Sequence, residues 1–131
     1  MRLLIDTNVL LWWLEDNPKL GTKARVAIAE PSNEVWVSVA ATWEIVVKHA
    51  LGRLELAEPM EELLPREFAA NRFRVVPITL SHTLLVGQLP PHHADPFDRV
   101  MVAQAIHEGM TMLSSDEQLT RYQVAVLDAR R

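Results

Sequence analysis

Carboxylates stand in this chain where a folded domain has little structural need of them. Asp6 interrupts the apolar run MRLLIDTNVLLWWL, and Glu44 lies among Trp43, Ile45, Val46 and Val47. Asp95 and Asp98 open the helical pattern PFDRVMVAQAIHE, and Asp116 directly follows TMLSS. Burying an ionised carboxylate is costly unless a partner or a cation answers the charge. Acids brought together repel one another, and their pKa values couple and rise unless cations hold them ionised. Hard divalent ions such as Mg²⁺ or Mn²⁺ take all-oxygen sites of this kind. Such a cluster suits metal-assisted phosphodiester hydrolysis, in which bound cations lower the pKa of a water and stabilise charge on the phosphate and leaving oxygen. No nucleophilic side chain is then required. The chain has no cysteine, which excludes thiol catalysis, a disulfide framework and Cys-ligated zinc.

Hydrophobic periodicity supplies the elements that would position these acids. RLLI (2–5), EVWVS (34–38), FRVVPI (73–78) and TMLSS (111–115) read as strands, with VAVLD a fifth candidate. Helical patterns fall at 8–15, at 22–30 with Thr22 as N-cap, at 39–51 stopped by Gly52, at 59–71 and from Ser81. The last long one begins at Pro96 with Asp95 as N-cap and ends at Gly109. Alternation of strands and helices predicts a three-layer α/β/α domain around a central parallel sheet of four to five strands. Residues 1–131 read as a single domain, without repeat or linker. In open parallel sheets, sites form beyond the carboxyl ends of the strands. Asp6, Glu44, Asp95, Asp98 and Asp116 all fall at or just after such ends.

Composition is that of an ordinary globular protein, 49% hydrophobic and 23% charged. Asp6, Asn8, Glu15 and Asp16 break the opening run, so neither a signal peptide nor a membrane span is expected. A cytoplasmic protein is the resulting expectation. The net charge of −4 counts against a simple basic nucleic-acid module, although site carboxylates that bind cations account for it equally well.

Each acid also has a plain structural reading. Asp6, Asp95 and Asp116 suit helix caps, and Asp98 suits a first helical turn with Arg99 as a solvated neighbour. Glu44 stands four residues before Lys48, an ordinary helical ion-pair spacing. Asn8 is suited to shaping the Asp6 turn. His92-His93 have no third nitrogen ligand and read as loop or substrate-side residues rather than a zinc site. His49, His82 and His107 read as helix residues at the solvent edge. Trp12, Trp13, Trp36 and Trp43 fit packing better than base stacking.

Four segments together resemble one known family across nearly the whole chain: LLIDTNVLLWWL, VSVAATWEIVVKHALGRL, LPPHHADPFDRVMVAQA and GMTMLSSDEQL. In order and spacing they are similar to PIN-domain proteins of the VapC toxin type. The resemblance implies a metal-dependent endoribonuclease of a type II toxin–antitoxin pair, with Mg²⁺ or Mn²⁺ as cofactor and RNA as substrate. It places the family's acids on Asp6, Glu44 and Asp116, the last after Ser-Ser where many relatives carry a threonine. The third acid falls on Asp95 or Asp98, one helical turn apart, with the metal assigned to Asp6, Asp95 and Asp116 and Asp98 close beside them. Asn8, Ser115 and Arg99 are the expected supporting residues. A VapB-type antitoxin covering the site and a homodimer through helices 8–15 and 39–51 are also implied. Arg53, Arg72, Arg74 and Arg99 are the basic candidates for RNA contact.

A response-regulator receiver fits poorly, because RVVPITL ends without an Asp and no Lys follows Lys48. An aspartyl phosphatase would want Asp where Asn8 stands. The alternative that survives is a PIN-like interaction module without catalysis.

Overall fold

A computed structural model describes residues 1–131. Five parallel strands form its sheet: β1 (Arg2–Ile5), β2 (Glu34–Ser38), β3 (Arg74–Val76), β4 (Thr111–Ser114) and β5 (Val126–Asp128). Six helices flank it as the outer layers: α1 (Thr7–Leu14), α2 (Thr22–Ala29), α3 (Val39–Ala50), α4 (Met60–Ala70), α5 (Leu80–Val86) and α6 (Pro96–Glu108). A 3₁₀ turn at Glu117–Arg121 joins β4 to β5. This is the α/β/α architecture expected from the alternating pattern. Leu3, Leu4 and Ile5 are fully buried, as a strand covered on both faces requires.

The strand order is β3-β2-β1-β4-β5. The chain steps outward from β1 to β3 on one side, then crosses through α5 and α6 to β4 on the other. Succession therefore reverses between β1 and β4, and the crevice at their carboxyl ends is the switch point where parallel sheets bind ligands. In the register Ile5 lies opposite Leu113, which sets Asp6 and Ser114 side by side just beyond the paired residues.

Local chemistry explains most of the boundaries. Gly109 ends α6 in the left-handed conformation at φ 68°, where a side chain would be strained. Gly21, not Thr22, caps α2. A Cβ at position 21 would stand 2.2 Å from the Arg131 backbone, and Gly21 N–H donates to the Ala129 carbonyl at 2.9 Å. The close approach of the chain's last residues thus demands glycine there. β3 is shorter than the FRVVPI pattern suggests, since Phe73 turns into the core and Pro77 has no N–H to continue a ladder.

His82 corrects the sequence reading, being fully buried rather than at the solvent edge. Thr79 and His82 form a reciprocal capping box at the start of α5: the Thr79 N–H donates to His82 Nδ1 at 3.0 Å and the His82 N–H donates to Thr79 Oγ1 at 3.3 Å. The proton on Nε2 then reaches Glu108 Oε1 at 2.9 Å. His49 and His107 are exposed as expected. Trp12 and Trp13 pack inward from α1, and Trp13 donates to Asn71 and tilts against Phe73. No helix is long and apolar enough to cross a membrane.

Candidate active site

One cleft at the switch point is lined by Asp6, Thr7, Asn8, Glu44, Lys48, Asp95, Asp98 and Asp116, without an apolar residue among them. The five acids of the sequence reading therefore reach one place, carried by β1, α3, the entrance to α6 and the exit of β4.

The caps that compete with a functional reading turn out to be the means of placement. Asp6 caps α1, its Oδ1 accepting the Val9 N–H at 2.9 Å. Asp95 caps α6 through the Asp98 N–H at 3.0 Å, and Asp116 caps the 3₁₀ turn through the Gln118 N–H at 2.9 Å. A cap fixes the side chain by one oxygen and leaves the other available for a further partner.

Asp6 is buried, and its second oxygen accepts a short hydrogen bond from the Ser114 hydroxyl. Burial pushes its carboxyl up to about 6; the bonds from Ser114 and Val9 oppose this, while the charges of Glu44 and Asp116 add to it. Glu44 is also buried, with Oε1 accepting from Thr7 at 2.5 Å and Oε2 paired with Lys48 Nζ at 2.7 Å. The helical ion pair is real, and it lies inside the cleft instead of on an outer face. Asp98 is pushed up to about 7, first by burial and then by the charges of Asp95 and Asp6. Raised pKa values at two buried acids of one cleft mark it as a candidate site.

The structure changes the emphasis among the acids of α6. Asp95 is tied to its helix as the cap, while Asp98 faces Asp116 across His93. Oxygens of Asp98 and Asp116 and a ring nitrogen of His93 lie within 4.8 Å of one another. Both acids line the cleft, and Asp98 is the one that stands beside Asp116 and His93. Two supporting assignments are also corrected. Ser114, not Ser115, joins the site, because strand alternation turns Ser114 toward Asp6 and lets its Oγ accept the Asp116 N–H at 3.0 Å. Arg99 turns away from the acids and donates to the carbonyls of Val86, Leu89 and Pro90 and to the Tyr122 hydroxyl. Asn8 stays exposed at the rim.

Thr7 and Lys48 line the cleft without a site role in the sequence reading, and His93, read there as a loop or substrate-side residue, touches Asp98 and Asp116. The DTN turn places Thr7, the helical spacing from Glu44 places Lys48, and nothing local to His93 distinguishes it from His92. His92 packs edge-on against Tyr122, at 5.1 Å between ring centroids. Arg74 pairs with Glu34 at the opposite end of the sheet, so it does not serve this cleft.

The family model described as PIN domain matches residues 3–125. Ribonuclease VapC22 of Mycobacterium tuberculosis (strain ATCC 25618 / H37Rv) is 30% identical over 118 residues, covering 89% of this chain and 88% of that protein. Among solved structures, VapBC2 from Rickettsia felis, bound to a DNA fragment from its promoter, is similar with a TM-score of 0.74 at 14% identity, over 98% of both chains. FitAcB from Neisseria gonorrhoeae gives a TM-score of 0.68 at 20% identity, over 97% of both chains. At those identities the structural likeness speaks for the fold.

Proposed function

The chain belongs to the PIN-domain family, and from that premise we propose that it is a metal-dependent endoribonuclease, the toxin of a type II toxin–antitoxin pair. The observation that carries this reading is the convergence of Asp6, Glu44, Asp98 and Asp116 on one cleft lined by a single cation, Lys48. The 30% identity to a ribonuclease supports RNA as the substrate class.

The donor set fits a hard divalent ion: Asp6, Asp95, Asp98 and Asp116 offer carboxylate oxygens, and Asp6 and Asp98 are both pushed up in pKa where a cation would hold them ionised. Asp6, Asp98 and Asp116 would hold Mg²⁺ or Mn²⁺, with Asp95 beside them. The bound ion would supply a water of lowered pKa and stabilise charge on the phosphate. Ser114 orients Asp6 and Asp116 by bonding both. Thr7 and Lys48 hold Glu44 between them, so its charge stays fixed at the cleft wall. Lys48 lines the cleft beside the acids, where its ammonium would meet a phosphate of the RNA strand.

A cognate VapB-type antitoxin is the proposed partner, with a basic side chain answering the acids. A homodimer is proposed through α3 and α5, not α1. Val39, Trp43 and Val46 form an exposed stripe on α3, Leu80 and Leu84 are exposed on α5, and both helices pack on α6. The α1 tryptophans are used internally.

Cleavage of RNA by the purified protein, with Mg²⁺, with Mn²⁺ and with EDTA, tests the reading. Metal-dependent cleavage by the wild type and none by Asp116→Ala is expected. Equal cleavage by both would remove the acid cluster from the chemistry, and binding of metal without cleavage of any RNA would favour the interaction module.

A further inference from the structure

We propose that His93 is a positioning residue of the metal site, a neutral N–H donor that holds Asp98 and Asp116 toward one point without ligating the ion. This rests on the metal-nuclease reading above and adds a residue to it.

The way the ring is held carries this assignment. His93 Nδ1 accepts the Asp95 N–H at 3.0 Å, so that nitrogen carries no proton and Nε2 does. Nε2 in turn lies 2.7 Å from Asp116 Oδ2 and 3.2 Å from Asp98 Oδ2. One N–H thus bridges two acids that come from different elements, the first turn of α6 and the exit of β4. Left alone, two such carboxylates repel and drift apart.

The same geometry argues against His93 as a ligand. To coordinate an ion, Nε2 must lose its proton, and a neutral ring must then carry it on Nδ1. The Asp95 N–H already points at that atom, and two hydrogens would face each other. Asp95 is fixed as the cap of α6, so this conflict is built into the backbone.

His93 is itself braced. Its backbone N–H donates to the Tyr122 hydroxyl at 3.0 Å, and Arg99 donates to the same hydroxyl at 3.2 Å while gripping the carbonyls of the preceding loop. The ring side chain is 13% exposed. Arg99, expected at the acids, thus supports them through Tyr122 and His93. Outer partners of this kind orient ligands, and their loss commonly weakens metal affinity about 10- to 100-fold.

The test is Mn²⁺ titration followed by electron paramagnetic resonance, on wild type, His93→Ala, His93→Gln and Asp116→Asn, with spin-echo detection of nitrogen coupling on the Mn²⁺-loaded wild type. His93→Ala should bind Mn²⁺ about 10- to 100-fold more weakly. His93→Gln, which keeps an N–H within reach of the acids, should recover much of that loss, and no directly coordinated nitrogen should be detected. A nitrogen coupling that disappears in His93→Gln would make His93 a ligand and overturn the proposal. So would wild-type Mn²⁺ affinity in His93→Ala alongside lost affinity in Asp116→Asn, which leaves the nuclease reading standing. No Mn²⁺ binding by the wild type would remove both. Should His93→Ala fail to fold, the spin-echo result on the wild type still decides.

Discussion

At the amino ends of the strands charges alternate, whereas at the carboxyl ends they repeat. Arg2 and Arg74 flank Glu34 and stack on the two sides of Trp36, each guanidinium 5.7 Å from the ring centroid. His82 and His107 likewise share Glu108 nearby, and its carboxyl is held below its ordinary range chiefly by the bond from His82. At the other end Asp6, Glu44, Asp95, Asp98 and Asp116 face one cleft with Lys48. Pairing at one end serves the fold. Accumulation at the other costs the fold and keeps a binding capacity. The two histidines show the same contrast: His82 and His93 each accept a backbone N–H at Nδ1, but one locks a single glutamate and the other bridges two acids.

If that contrast holds, neutralising acids has opposite consequences at the two ends. The largest effect is expected at the cleft. Asp98→Asn or Asp116→Asn should lower metal-dependent RNA cleavage by about 10²- to 10³-fold, the loss of several kcal/mol of charge stabilisation. In EDTA at pH 8, Asp98→Asn should melt a few degrees higher than wild type, because it removes a charge the fold tolerates poorly. A lower melting temperature would break the comparison.

The pH dependence follows from the same acids. Asp6 and Asp98 bind their protons more tightly folded than unfolded, so the stability they contribute is complete below the ordinary carboxylate pKa of about 4. It is lost as pH rises through about 6 for Asp6 and about 7 for Asp98. For Asp6 the loss amounts to up to about 3 kcal/mol at about 1.4 kcal/mol per pKa unit. The melting difference between Asp98→Asn and wild type should therefore widen from pH 4 to pH 8, and added Mg²⁺ should close it. A difference that stays flat with pH would show that these acids are no burden to the fold.

At the paired end, Glu108→Gln should destabilise by about 1–2 kcal/mol in urea unfolding, since a charge-assisted bond to a buried ring is weakened. Cleavage by the folded variant should stay unchanged, and a loss would tie this end to catalysis. Smallest of all, Lys48→Met should destabilise by about 1 kcal/mol, because it leaves the buried Glu44 carboxylate bonded to Thr7 alone. Its KM for RNA should rise several-fold with kcat nearly kept; an unaltered KM would remove Lys48 from substrate binding.

By itself the sequence determined the elements and which acids end them. Apolar runs closed by Asp, capping residues and Gly109 are local signals, and parallel β/α alternation leaves few ways to arrange them. The acids could be named because burying a charge has a cost that composition cannot hide. Only the tertiary structure decided which member of each close pair stands beside Asp116. Ser114 and Ser115, His92 and His93, and Asp95 and Asp98 are alike in type and differ in the direction of a side chain. That direction depends on strand register, on which oxygen a cap consumes and on what packs across the cleft. Burial of His82 was equally hidden, because its partner Glu108 lies 26 residues away. Long-range contacts set those choices, and no short window of sequence contains them.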